Sequence, residues 1–469
     1  MSDELALLAE ADRLAADYLH SVAERRVFPT QQALDDLVAF DEELPTAPSA
    51  AGDTLNMLRR YGDPASVTSN GGRYFGFVIG ASLPEAAAAE RLALAWDQCA
   101  SSYVNSPVMA KIEEVATKWV LEILDLPRES QIGFGTSATA CGLSVLAAAR
   151  RTLLARHGWN VDEDGLMGAP EIKLVVPQTV HITVKKAARL LGFGMNRLIE
   201  APCDEYGRVI PEQLPALDDR TILVLQAGEV NMGEFDRFAE IIPMAQKAGA
   251  WVHVDGAFGL WARASTSKKA LTDGIELADS WTTDGHKWLN TPYDGAMAIC
   301  RHADELAVAL NSDAVYSTAE PYAQKNLVLE FSRRGRGMPI WAALRSLGRE
   351  GVDEMVTRHC NQAQMLAEGL RAKGVTVLNR VVLNQVLCTL GDATKNEALL
   401  NRVTEEGEVW FGPSKWQGES VFRLSVSSWR TTDADIARAV EVIGRGNQEV
   451  LSGPYSQADS SRAVMVSEE

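Results

Sequence analysis

Apolar residues recur at helical spacing near the start of the chain. Leu7, Leu8, Ala11, Leu14, Ala15, Tyr18, Leu19 and Val22 form one stripe, which predicts an amphipathic helix over residues 3–25. Such a stripe needs a partner to cover it. Between residues 45 and 72 the chain is rich in Pro, Gly and Asp, which predicts a loop, and a helix-rich stretch follows through Leu126. The rhythm then changes. Short apolar or β-branched runs at 172–176, 221–225, 251–254 and 296–300 predict buried strands, and the patterns at 142–156 and 238–248 predict helices between them. Strands alternating with helices imply an α/β fold with a mainly parallel sheet. After Arg333 a second, smaller α/β region is expected, with strands at 375–378, 386–390 and 421–426, and residues 451–469 lack periodicity and read as a flexible tail.

Composition narrows the class. Of 469 residues 46% are hydrophobic and 23% charged, the usage of a folded globular protein. Lys and Arg number 45 against 63 Asp and Glu, and the net charge of −18 repels phosphate backbones and anionic headgroups. Neither nucleic acid nor membrane is expected as a partner, although Arg333, Arg334 and Arg336 make a local basic cluster. The six cysteines, at 99, 141, 203, 300, 360 and 388, form no CxxC pair, so no metal site or disulfide framework is expected. The opening MSDELALLAEADRLAADYL lacks the basic start and unbroken apolar run of a secretory signal, and the expected location is the cytoplasm.

The candidate chemistry centres on DSWTTDGHKWLNTPYDG at 279–295, which follows the strand pattern WVHVDGAFG at 251–259. Lys287 stands between His286 and Trp288, and Asp255 ends the preceding strand, where α/β proteins build their sites. Pyridoxal phosphate asks a protein for an amine, a carboxylate for the pyridine nitrogen, a group to stack on the ring, and donors for the phosphate. Lys287, Asp255 and His181 answer the first three. The turn GFGTSATACG at 133–142 leads into an apolar helix, so Thr136, Ser137, Ala138 and Thr139 offer a phosphate seat at a helix N-terminus.

The stretches GRYFGFVIGASLPEA (72–86), SPVMAKIEEVATKWVLEILDLP (106–127), the GTSAT turn, TVHITVKKA (179–187), LQAGEVNMGEFD (225–236), HVDGAFGLW (253–261), DGHKWLNTPYDG (284–295) and FRLSVSSWRTT (422–432) stand in one order along most of the chain. In them the chain resembles the group II pyridoxal-phosphate decarboxylases, the aromatic-L-amino-acid and glutamate decarboxylase family. The resemblance implies an aspartate-aminotransferase-like, fold type I enzyme. It would have an N-terminal helical segment at a dimer interface (1–70), a large cofactor domain (71–335), a small C-terminal domain (336–450) and a tail.

The resemblance also implies roles. Lys287 forms the internal aldimine, Asp255 pairs with the pyridinium, and His181 stacks and exchanges protons. Ala257 packs under the ring, His286 adds a phosphate contact, and Gln226 lies near the ring and its carboxylate partner. Tyr74 and Phe75 line the substrate side-chain pocket. A tyrosine on a lid between Asn311 and Arg333, Tyr322 in preference to Tyr316, protonates the carbanion. The implied activity is decarboxylation of an L-amino acid to an amine and carbon dioxide by a homodimer. An aminotransferase, or an aldehyde-forming or carbon–carbon bond enzyme on the same scaffold, is the alternative, because Lys and Asp are common to all of them. Arg423 or Arg430 would suit an acidic substrate, Tyr74 and Phe75 an aromatic one.

Overall fold

The structure, a computed structural model, describes residues 2–311 and 320–453. Tyr316 and most of the expected tail lie outside the described residues. The chain divides into two compact units, Met1–Ala81 with Gln362–Leu378 and Val386–Glu469, and Ser82–Asn361 with Asn379–Gln385. The expected boundaries at 70 and 335 fall inside these units.

The larger unit is built on seven strands: β1 (Gln131–Gly135), β2 (Lys173–Pro177), β3 (Ile199–Ala201), β4 (Thr221–Gln226), β5 (Trp251–Asp255), β6 (Ser280–Asp284) and β7 (Ala296–Cys300). Their order is β1-β7-β6-β5-β4-β2-β3. Neighbours from β6 to β3 are parallel, whereas β7 runs antiparallel to both β6 and β1. The carboxyl ends of β1, β2, β4, β5 and β6 therefore share one edge with the start of β7. Strands covered on both faces carry apolar runs, and all six residues of β4 are buried.

β6 departs from that rule. Its sequence SWTTD is mostly polar yet buried at every position, because its polar groups find partners. Ser280 Oγ accepts from Trp251 Nε1 at 3.0 Å and lies 3.1 Å from His253 Nδ1. β1, QIGFG, is equally unlike a strand in composition. A Cβ at Gly133 would stand 2.0 Å from the carbonyl oxygen of Leu327, so only glycine lets the backbone approach there.

Helix Ala138–Arg156 follows β1 and buries Val145, Leu146, Ala149 and Leu153 against Leu174, Val176, Ile222 and Val224 of the sheet. Each such Leu or Val contributes about 1.5–3 kcal/mol of burial. The basic cluster expected at 333–336 is not a surface patch. Arg333 makes a bidentate pair with Glu113, both bonds 2.8 Å, and also donates to the carbonyls of Ala100 and Phe134. Arg336 Nε donates to Asp294 at 3.1 Å, and Arg334 pairs with Glu90.

The smaller unit holds a four-stranded sheet, β10-β11-β9-β8, of Thr376–Val377 (β8), Gln385–Thr389 (β9), Gly412–Trp416 (β10) and Glu419–Ser425 (β11). The N-terminal helix runs Ser2–Ser21 and ends before the expected residue 25. The chain beyond it is pinned by Arg73, whose guanidinium donates to the carbonyls of Ala23, Arg25 and Glu408. The loop expected at 45–72 contains helices Ala51–Met57 and Asp63–Ala65 joined by a π-helical turn. Pro64 sits in the first turn of the second, where its missing N–H costs nothing, so a loop-like composition is compatible with helix there. Among the described residues no helix is long and apolar enough to cross a membrane.

Candidate active site

The shared strand edge gathers the chemistry. Register places Gln226 beside Asp255, Asp255 beside Thr282, and both Asp284 and Gly135 opposite Ala296. Lys287 follows β6 by three residues, in a turn stiffened by its neighbour Trp288. That indole is fully buried and donates to His359 Nδ1 at 2.9 Å. The Lys287 ammonium lies 3.3 Å from Asp284 Oδ2.

A continuous set of hydrogen bonds runs across the edge. Asp284 Oδ1 accepts from Ala138 N at 2.7 Å, and Asp284 N donates to Ala257 O at 2.9 Å. Ala257 N in turn donates to Asp255 Oδ1 at 3.2 Å. The turn before Ala138, Lys287, Ala257 and Asp255 are thus tied together through Asp284. Ser137 caps the helix that opens at Ala138, its Oγ accepting from Ala140 N at 3.3 Å, so Thr136 to Thr139 lie at a true helix N-terminus.

His286 is buried and stacks on Tyr293, the ring centroids 4.3 Å apart. Gly295 N donates to its Nδ1 at 3.3 Å, which leaves the proton of the neutral ring on Nε2, 3.8 Å from Asp284 Oδ1. Burial lowers the pKa of His286, and Asp284 opposes that shift. His181 is the N-cap of helix Ile182–Leu190. Its Nδ1 lies 2.7 Å from Thr183 Oγ1 and 3.4 Å from Thr183 N.

Gln226 is buried, and its amide donates to Thr179 Oγ1 at 2.9 Å, which links the end of β4 to the turn carrying His181. Tyr322 stands elsewhere. Its exposed hydroxyl donates to Asp304 Oδ1 at 2.5 Å, in the first turn of helix Ala303–Leu310, beyond the end of β7 that faces away from the site edge. Tyr74 and Phe75 belong to the smaller unit, where both are buried and Tyr74 stacks on Trp410 with centroids 4.9 Å apart.

Two residues of this edge escaped the reading of the sequence. Asp284 had a signal, being an acidic residue at the carboxyl end of a strand just before the lysine, but its strand was hidden by its hydroxyls. Thr179 had none, since its role exists only once β2 and β4 are adjacent.

The donor set fits pyridoxal phosphate. One amine, one carboxylate at the end of the next strand, a capped helix start with hydroxyls at 136, 137 and 139, and a buried imidazole N–H supply a group for each end of that molecule. Residues 37–387 match the family described as Pyridoxal-dependent decarboxylase conserved domain. The chain belongs to that family, and it is a carboxy-lyase that uses pyridoxal phosphate.

Aromatic-L-amino-acid decarboxylase of Sus scrofa is 25% identical over 472 residues, covering 95% of this chain and 96% of the relative. That of Drosophila lebanonensis is 26% identical over 360 residues, 71% of this chain and 88% of the relative. Phenylacetaldehyde synthase of Arabidopsis thaliana is 25% identical over 376 residues, 73% and 75% of the two chains. Among solved structures, that of Oryza sativa TDC with PLP and tryptamine superposes with a TM-score of 0.87 at 22% identity, covering 96% of this chain and 98% of the other. These structures share fold type I with this chain.

Proposed function

We propose that this protein decarboxylates an L-amino acid with an aromatic side chain, releasing an amine and carbon dioxide. The observation that carries the reading is Lys287 Nζ at the end of β6, bound to Asp284, with Asp255 on the adjacent strand of the same edge. The names of the curated relatives support an aromatic substrate.

Lys287 would hold the aldehyde carbon of the cofactor, Asp255 its ring nitrogen, His181 and Ala257 its two faces, and Gln226 its edge. Thr136, Ser137, Ala138, Thr139 and His286 would hold its phosphate. When bound, pyridoxal phosphate supplies an electron sink for the bonding pair that carbon dioxide leaves behind. Asp255 keeps a proton at the ring nitrogen, which makes that sink effective. His181 is the group within this subunit that returns a proton to the substrate carbon, and Tyr316 is the alternative donor, since Tyr322 is held at Asp304.

The same reading includes a homodimer in the cytoplasm. Leu5 and Leu19 of the N-terminal helix are 68% and 45% exposed, an apolar face suited to a second copy, and all six cysteines are free thiols. The Arabidopsis relative favours one second reading, in which the product is an aldehyde. Incubation with pooled L-amino acids and pyridoxal phosphate, followed by mass spectrometry, separates the two. Amine alone supports the first reading and aldehyde the second. Keto acid without carbon dioxide would reject both.

A further inference from the structure

The carboxylate of Asp284 occupies the place where an anion would sit. A helix N-terminus presents amides that have no partner within the helix, and these are what a phosphate uses. Here Ala138 N is taken by Asp284 Oδ1 at 2.7 Å and Ala140 N by Ser137 Oγ at 3.3 Å. Only 3% of the Asp284 side chain is exposed, so its charge is poorly screened, and its second oxygen faces Lys287 at 3.3 Å. A phosphate dianion docking at the same amides meets a buried carboxylate, and two like charges at hydrogen-bond range repel strongly away from water.

We propose that Asp284 is an affinity-setting residue: its carboxylate competes with the cofactor's phosphate for the Ala138 amide, and so weakens the hold on pyridoxal phosphate. This rests on the assignment of residues 136–139 and Lys287 to the two ends of the cofactor. An amide at position 284 would keep the bond from Ala138 and offer the phosphate a donor in place of a negative charge. The competition is specific to the phosphate end, because pyridoxal without its phosphate brings no charge to the seat.

The test uses the full-length apoprotein and its Asp284→Asn and Asp284→Ser variants, which remove the charge and keep an acceptor for Ala138. A variant is scored if its melting curve shows it folded. Equilibrium binding of pyridoxal phosphate and of pyridoxal is read from the absorbance of the bound cofactor, and inorganic phosphate is titrated as a competitor. The expected result is tighter binding of pyridoxal phosphate by about tenfold or more and a lower inhibition constant for phosphate, with pyridoxal binding nearly unchanged. Equal or weaker binding of pyridoxal phosphate in a folded variant overturns the proposal. Tightening of pyridoxal to the same degree also overturns it, since the effect would then not lie at the phosphate. A wild-type protein that binds neither compound would overturn the cofactor assignment, and this inference with it.

Discussion

The side-chain amide of Gln226 donates to the hydroxyl of Thr179 at 2.9 Å, and that hydroxyl donates onward to the carbonyl of Gly207 at 3.1 Å. The bond joins two strand ends that the sequence separates widely, and it holds the turn on which His181 begins its helix. Thr179→Val keeps the shape and removes the bond, leaving a buried amide short of a partner at a cost of about 1–3 kcal/mol. The expected outcome is a fall in kcat of about tenfold with the cofactor still bound, and recovery of most of it in Thr179→Ser. Equal kcat in Thr179→Val and wild type would show that His181 is held by other means.

Lys287→Ala is expected to abolish turnover and leave a folded protein, because the side chain lies at the site edge and not in the core. Borohydride reduction followed by peptide mapping should place the cofactor on Lys287 in the wild type. Its recovery on Lys185 or Lys186 would move the chemistry away from β6.

Asp255→Asn preserves shape and the bond from Ala257 N but loses the charge that keeps the ring nitrogen protonated. Turnover should slow by about 10²–10³, with a smaller effect on cofactor affinity. Near-normal turnover would make Asp255 a structural strand-end carboxylate.

The Glu113–Arg333 pair is fully enclosed, with side-chain exposures of 1% and 0%. Glu113→Gln strands the guanidinium without a counter-charge and should cost about 3–5 kcal/mol of stability by urea unfolding. A loss below 1 kcal/mol, within the scatter of surface substitutions, would mean that Arg333's bonds to Ala100 and Phe134 suffice to hold it.

His253, on the strand that ends in Asp255, has its pKa pushed by burial from 6.5 down to about 4. The unfolded chain takes up this proton near pH 6.5 and the folded chain resists until about 4, so the stability it contributes is whole above 6.5 and lost as the pH falls through that window. Denaturation midpoints of wild type and His253→Gln should therefore converge on acidification. Curves that stay parallel between neutral pH and about pH 4 would place the acid-sensitive group elsewhere.

Much of this site is readable in the amino-acid order, for a physical reason. β4 and β5 are covered on both faces, so their apolar runs declare them, and a polar residue closing such a run, Gln226 or Asp255, marks the strand end. The helix after β1 declares itself through its small-residue turn. The rest depended on partners distant in sequence. SWTTD becomes a strand because its hydroxyls and its carboxylate are satisfied by Trp251, His253, Ala257 and Ala138, none of which is a neighbour in sequence. Tyr322 illustrates the opposite case, since a proline-preceded tyrosine in an aperiodic stretch carries no information about the side of the sheet on which its hydroxyl rests.

β1 enters the sheet only by pairing with β7, Gly135 lying opposite Ala296. The turn after Gly135 and the segment before Ala296 therefore have no fixed relation until both strands exist and the long loop between them has closed. The edge that carries Asp284 and Gly135 is complete only once the chain through Cys300 has paired.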